Sequence, residues 1–392
     1  MRKPAFLFSI LCFLLLMVVR TKPPGPWAQT QLLLSYDDGF SRRALLGWLI
    51  ELVQPAGLDE ATARMICLIV TFAGGLAFML YVLRALEDVP RAFALGAVVA
   101  TSFGLAEFLG NTGYLEGAYF VPGLIALALP GAGLASGAAM LALGAVGVLI
   151  HDAMLPSFGV LIALLLFLRW QGRGPGRAAG VAAVPLVALV VLSAALFKLS
   201  PSGAEAETLI AGVSARALDY PIDPKAVEAV LRYGPGEGPS YLFRWETPFF
   251  YFERNYVLPI GFGFLALASV LIWRLGAGLG ALARLACVLA ALAPATLMLV
   301  AFDLSRLMGF AVLQAILVIA ILLREHPPAR EALPRLVTEA WVVALMAANV
   351  FVSWPAFNRG GEYSAHLPAG LIETQRWGLS MEEQLKIPPR QY

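Results

Sequence analysis

An all-α bundle of membrane-crossing helices is the architecture the 392-residue sequence predicts, and three observations carry that expectation. Hydrophobic residues make up 59% of the chain, charged residues only 14%, and the mean hydropathy is +0.77. A soluble domain of this size needs far more charge to cover its surface. The apolar residues also gather into runs near the ~20 residues that cross a bilayer core as a helix. Finally, lysine and arginine collect in alternate loops, as they do when one side of a membrane protein faces the cytoplasm. The net charge of +2 leaves no basic face able to follow a nucleic-acid backbone, so no nucleic-acid partner is expected.

About eleven spans follow from the length rule. They cover residues 4–20, 64–83, 92–109, 117–130, 133–150, 154–169, 179–198, 257–273, 284–302, 307–323 and 336–354. The first, with its basic start at Arg2 and Lys3, has the shape of a secretory leader. No small-x-small cleavage site follows and many further spans do, so an uncleaved first helix is expected. Residues 20–63 open as a proline-rich linker and run through Ser35–Gly47. They continue as Ala44 to Val53, apolar but too short to cross, which predicts a helix lying in the interface. The fourth span is short and bounded by Pro122 and Pro130, so it is tilted, re-entrant or broken. Residues 199–256 form the longer outer loop, with a short helix starting at Asp223 or Pro224 and running to Arg232. Gly234 to Pro239 break it, and an aromatic run from Tyr241 to Tyr256 follows. Residues 1–357 thus read as a single polytopic domain and 358–392 as a polar outer tail.

Orientation comes from the basic residues. With a cytoplasmic N-terminus, the inner loops hold Arg2 and Lys3, Arg84 and Arg91, Arg169, Arg173 and Arg177, Arg274 and Arg284, and Arg324, Arg330 and Arg335. That topology places Asp37, Asp38, Arg42, Arg43, Asn111, Glu116, His151, Asp152, Asp303 and Arg306 together on the outer side.

Several of these residues can carry chemistry, and each has a plainer reading. Asp37 and Asp38 could serve as a general base for a hydroxyl acceptor, or hold a divalent cation such as Mg or Mn against a phosphate. Asp-Asp-Gly is also ordinary turn chemistry. Arg42 and Arg43 suit bidentate phosphate binding, or snorkelling to lipid headgroups. His151 and Asp152, between two closely spaced spans, could act as acid, base or phosphate ligand, or simply make a polar hinge. Glu107 stands one turn before Asn111 on one helix face, where a carboxylate must face protein or water. Asp303 and Arg306 share an i, i+3 face and could pair with each other or grip a phosphate. In the aromatic run, Trp245, Arg254 and Asn255 could stack on and bond a sugar, or form an interfacial belt. Cys12, Cys67 and Cys287 lie in separate apolar runs without CxxC or metal-ligand spacing, which argues against redox chemistry and makes buried thiols the expectation. No zincin, Walker, nucleophile-elbow or dinucleotide motif is present.

A first helix, then a large outer loop opening with Asp37-Asp38, an interfacial helix after it, and many further spans: this pattern resembles the integral-membrane GT-C glycosyltransferases. It is also similar to the polysaccharide polymerases and ligases of bacterial envelopes. The sequence departs from many of that class in lacking a large soluble C-terminal domain. The resemblance implies sugar transfer at the outer face of the cytoplasmic membrane from a polyprenyl-phosphate donor. On that reading Asp37 or Asp38 activates the acceptor hydroxyl, and Arg42, Arg43 and Arg306, with His151, stabilise the departing phosphate. The partners implied are membrane lipid and a lipid-linked glycan. Three other readings stay open: a transporter or flippase for a lipid-linked or anionic solute, a membrane acyltransferase built on His151, and a purely structural membrane subunit.

Overall fold

The computed structural model describes residues 3–232, 258–299 and 304–353. Among these residues the chain is all-helical with no strand; its β pairing consists of isolated bridges, Leu58 to Ala217 and Ser202 to Arg232. The aromatic run 241–256, Asp303 and the 358–392 tail lie outside the described residues.

Five helical stretches are long and apolar enough to cross a membrane: Glu60–Ala85, Ala92–Gly110, Asp152–Arg173, Pro175–Leu199 and Arg306–Glu325. That is the composition of a membrane protein. The other expected spans fold as apolar helices of 10–17 residues, among them Phe6–Arg20, Leu134–Ile150 and Gly261–Leu275. The proline-bounded segment is continuous as Glu116–Ala128, passing through Pro122 and stopping before Pro130. At ~1.5 Å per residue its length is about 20 Å, short of the ~30 Å of a hydrocarbon core. The span expected over 92–109 is among these five, as Ala92–Gly110, with its helix interrupted at Thr101-Ser102, between Ala92–Ala100 and Phe103–Gly110. Two hydroxyls compete with the helical ladder there: Thr101 Oγ1 donates back to the Ala97 carbonyl, and Ser102 Oγ accepts from the Leu105 amide.

We number the helices used below in chain order: α1 (Lys3–Arg20), α2 (Pro26–Gln31), α3 (Leu45–Val53), α4 (Glu60–Ala85), α5 (Ala92–Ala100), α6 (Phe103–Gly110), α7 (Glu116–Ala128), α8 (Leu134–Ile150), α9 (Val160–Trp170), α10 (Pro175–Leu199), α11 (Ala206–Arg216) and α12 (Pro224–Glu228). The helix expected from Asp223 is α12; the Asp223 side chain accepts from the Lys225 amide and Pro224 takes the first helical position, but it ends at Glu228.

The chain divides into two compact units, with α4 contributing to both. Of the described residues, one unit takes 3–21, 79–110, 258–299 and 304–353. At its centre is the helix Leu304–Glu325, whose Met308, Ala311, Val318, Ile321 and Leu322 are fully buried. It meets α6 at a crossing of two glycines: a Cβ on Gly104 would lie 2.8 Å from the Gly309 carbonyl oxygen, and one on Gly309 would lie 2.8 Å from Glu107 Cβ. Small residues at such a crossing let two backbones approach closely, which is how helices associate where lipid offers no hydrophobic drive. In the same unit α1 packs on α5 and α6.

The other unit takes residues 22–78 and 111–232. Helices α7 to α10 pack on one another around Tyr119, Phe120 and Phe158, with the Phe120 and Phe158 rings edge to face at 5.0 Å. Helix α10 leaves Val184, Val187 and Val191 exposed, an apolar face suited to lipid. The shorter helices α2, α11 and α12 pack together, joined by a hydrogen bond from the Asp223 amide to Thr30 Oγ1 at 2.8 Å. The expected helix after the charged stretch is α3; its Leu49, Leu52 and Val53 are exposed along one face.

Candidate functional site

The stretch Ser35–Gly47 is held in place by local backbone chemistry. Ser35 Oγ accepts the Asp37 amide at 3.3 Å and starts a single 3-10 turn over Tyr36–Asp38. Gly39 then takes a φ of 112°, a conformation glycine adopts without strain, and the chain reverses. Arg43 has a φ of 67°, left-handed backbone that a residue with a Cβ enters only under constraint. In extended chain, neighbouring side chains point to opposite sides. The left-handed turn is what allows Arg42 and Arg43 to reach one carboxylate.

That carboxylate is Asp152. Arg42 Nη1 donates to its Oδ2 at 3.3 Å, and Arg43 Nε donates to its Oδ1 at 3.1 Å, with Arg43 Nη2 3.0 Å from the same oxygen. Arg42 is anchored further. Its Nη2 donates to the carbonyls of Ala229 and Leu231 at 3.1 and 3.0 Å, its amide donates to Ser200 Oγ at 3.2 Å, and its guanidinium stands over the Phe197 ring. Asp152 lies in the break between α8 and α9, where a 3-10 turn (Asp152–Met154) passes into a π-helical turn (Leu155–Gly159). Single π turns of this kind occur often at functional sites.

His151 completes the cluster. Its Nδ1 is 2.9 Å from the Ala153 amide, which needs a lone pair there, and 3.0 Å from Asp152 Oδ1, which needs a proton there. Only one of these can be a hydrogen bond at a time. Burial, aided by the Arg43 charge, holds His151 below its ordinary value, against the pull of Asp152 and Glu116. The imidazole is therefore neutral, and Nδ1 accepts from Ala153. Glu116, at the start of α7, is buried; Tyr119, one turn on, presents its ring 5.9 Å from the His151 ring.

The two carboxylates of the acidic pair are separated. Asp38 is gripped by Arg216, whose Nη1 donates to Oδ1 at 3.0 Å and whose Nη2 donates to Oδ2. The same guanidinium donates through Nε to the Leu33 carbonyl at 3.0 Å and stands 3.9 Å from Glu51 Oε1. Asp37 is exposed on the outer edge of the turn. Beside it, the Tyr36 and Phe40 rings stack at 5.1 Å. Among the described residues no three metal-ligating side chains stand close enough to hold an ion. A cation shared by Asp37 and Asp38 would have to displace Arg216 from Asp38.

The structure thus brings together Arg42, Arg43, His151, Asp152 and Glu116 from three separated stretches of sequence. Asn111 belongs to the same unit, half-buried in the turn before α7. Glu107 belongs to the other unit, buried 3.7 Å from Arg20 at the end of α1. Arg306 is also in that unit, one turn before Gly309 on the helix that crosses α6. Trp245, Arg254, Asn255 and Asp303 lie outside the described residues. Arg216 and Tyr119 were not legible as site residues: Arg216 is 178 residues from Asp38, and nothing in its own helix marks its partner. No protein-family model matches the chain, and neither the curated proteins nor the solved structures contain a match to it.

Proposed function

We propose that the protein is a membrane glycosyltransferase of the bacterial cytoplasmic membrane, with about eleven spans and a cytoplasmic N-terminus. It takes a sugar from a polyprenyl-phosphate donor at the outer face. The observation that carries this reading is the convergence of Arg42 and Arg43 with His151 and Asp152 at the end of an apolar helix. Paired guanidinium groups at a membrane edge suit a phosphate whose isoprenoid tail stays in the lipid.

Of the two aspartates, Asp37 is the better base, because both oxygens of Asp38 are occupied by Arg216. Five residues separate Asp37 from Arg42, so their Cα atoms are at most about 17 Å apart. The acceptor hydroxyl gives its proton to Asp37 as its oxygen bonds to the anomeric carbon. The bond from that carbon to the phosphate oxygen breaks, and the polyprenyl phosphate leaves with the electron pair against Arg42 and Arg43. The test is sugar transfer in membranes containing Asp37→Asn or Asp38→Asn protein at matched expression. Asp37→Asn should lower transfer by at least about 100-fold, the scale of a lost general base. Full activity in the Asp37→Asn/Asp38→Asn double variant would sink the proposal.

A second reading, transport of an anionic or lipid-linked solute, is favoured by one observation. The helix break at Thr101-Ser102 lies near the buried Arg20–Glu107 pair, and interrupted helices with buried charge are typical of transporter sites. Solute exchange by reconstituted protein that survives Asp37→Asn would favour this reading.

A further inference from the structure

We propose that a phosphate group bound by Arg43 releases Asp152 to His151, so that phosphate binding and protonation of His151 are one coupled event. This rests on the phosphate reading of the Arg42/Arg43 cluster given above.

The two arginines are not equivalent. Arg42 is held by the carbonyls of Ala229 and Leu231 and through its amide by Ser200, independently of Asp152. Among the described residues, each side-chain hydrogen bond and ion pair of Arg43 goes to one atom, Asp152 Oδ1. Arg43 also keeps 15% of its side chain exposed, whereas His151 keeps 9%. Arg42 is as exposed, at 16%, but its other bonds hold it, so Arg43 is the arginine that an arriving anion can draw away, in competition with a single carboxylate oxygen. Arg42 meanwhile keeps its hold on Oδ2, so Asp152 stays where it is.

The oxygen that Arg43 gives up is the one 3.0 Å from His151 Nδ1. While Oδ1 is committed to Arg43, Nδ1 uses its lone pair on the Ala153 amide. Once Arg43 turns to the phosphate, Oδ1 is an unneutralised acceptor beside Nδ1, and the nearest positive charge opposing a second imidazole proton has been compensated by the ligand. The groups facing His151 are Asp152 and the Ala153 amide on its own turn, Arg43 and Arg42 from the loop, and Glu116 and Tyr119 from α7. Two of these are carboxylates, and both favour the imidazolium. One proton is taken from solvent onto Nδ1, which becomes the donor to Oδ1; Ala153 loses its acceptor. The bound state then contains a histidine able to give a proton to the departing phosphate oxygen.

The experiment is calorimetric titration of the full-length protein in lipid nanodiscs with farnesyl methyl phosphate. This probe is a phosphodiester whose single charge does not titrate in the relevant range, and it carries no sugar. Measuring the binding heat in buffers of different ionisation enthalpy counts the protons taken up. Near the ordinary histidine range, at about pH 6.5, uptake should approach about one proton per ligand, and affinity should rise by up to about tenfold per pH unit as the pH falls. His151→Gln should bind the same probe with no proton uptake. Binding with heats independent of buffer overturns the coupling and leaves the phosphate site standing. Uptake that persists in His151→Gln overturns the assignment to His151. No binding by the unsubstituted protein overturns both the coupling and the phosphate reading. The unsubstituted protein decides the matter even if His151→Gln fails to fold.

Discussion

Removing the Arg216 guanidinium should cost this protein more than any other single change at the acidic turn. Arg216→Ala deletes two charge-assisted bonds to Asp38 and one bond to the Leu33 carbonyl, and takes a positive charge away from Glu51. The Arg216 and Asp38 side chains are only 14% and 12% exposed, so Asp38 is left as a poorly hydrated lone charge. Breaking a buried pair from one side typically costs 3–5 kcal/mol; the residual exposure lets some water reach Asp38, which puts the expected loss at about 3 kcal/mol. For a unit of this size that corresponds to a fall in melting temperature of ~6–12 °C. Arg216→Lys keeps the charge but loses the fork, and should lose about half as much. The assay is thermal unfolding in detergent, arranged as a double-mutant cycle with Arg216→Ala, Asp38→Ala and both together. The expected coupling is about 2 kcal/mol. If the two single losses add to within about 0.5 kcal/mol, the pair is not the clamp described and the turn is held by something else.

Three further outcomes are expected. Gly309→Val should push α6 away from the helix Leu304–Glu325, because the added atoms meet Glu107 Cβ; overpacking should cost ~1–3 kcal/mol, read as a lower melting temperature, whereas Gly263→Val, with open space around its Cβ position, should be nearly neutral. Glu107→Ala should remove the carboxylate 3.7 Å from the buried Arg20 guanidinium and lower stability by ~3 kcal/mol; yield and melting temperature equal to the parent's would contradict the pairing. His151 is held below its ordinary value in the folded protein, so the unfolded chain binds more protons between the native value and ~6.5. The His151 contribution to stability is therefore constant above about pH 7, and falls as the pH drops from ~6.5 through the native value. His151→Gln should remove that part of the slope in denaturation measured from about pH 7 to pH 5.5, and an unchanged slope would place the titration elsewhere.

Composition alone was enough to predict helices and a membrane, because a chain with so few charges cannot cover a water-soluble surface. The short helices at Leu45–Val53 and Pro224–Glu228 were legible too, since capping, proline placement and run length are local properties. The break at Thr101-Ser102 was not foreseen. A hydroxyl bonding back to its own helix looks in sequence like any polar residue in an apolar run. The suspicious polar residues could likewise be sorted only by the side they were expected to face.

Which of them meet was decided by tertiary structure. Asp37 and Asp38 are adjacent in sequence, yet one is exposed and the other is clamped by a residue 178 positions away. Arg42 and Arg43 reach Asp152 across about 110 residues, through a left-handed turn that no residue type in the stretch announces. Helix and membrane preference follow from each segment's own composition and are settled within a turn or two of chain. A charge partner follows from where packing brings distant segments together, and local sequence carries no record of that.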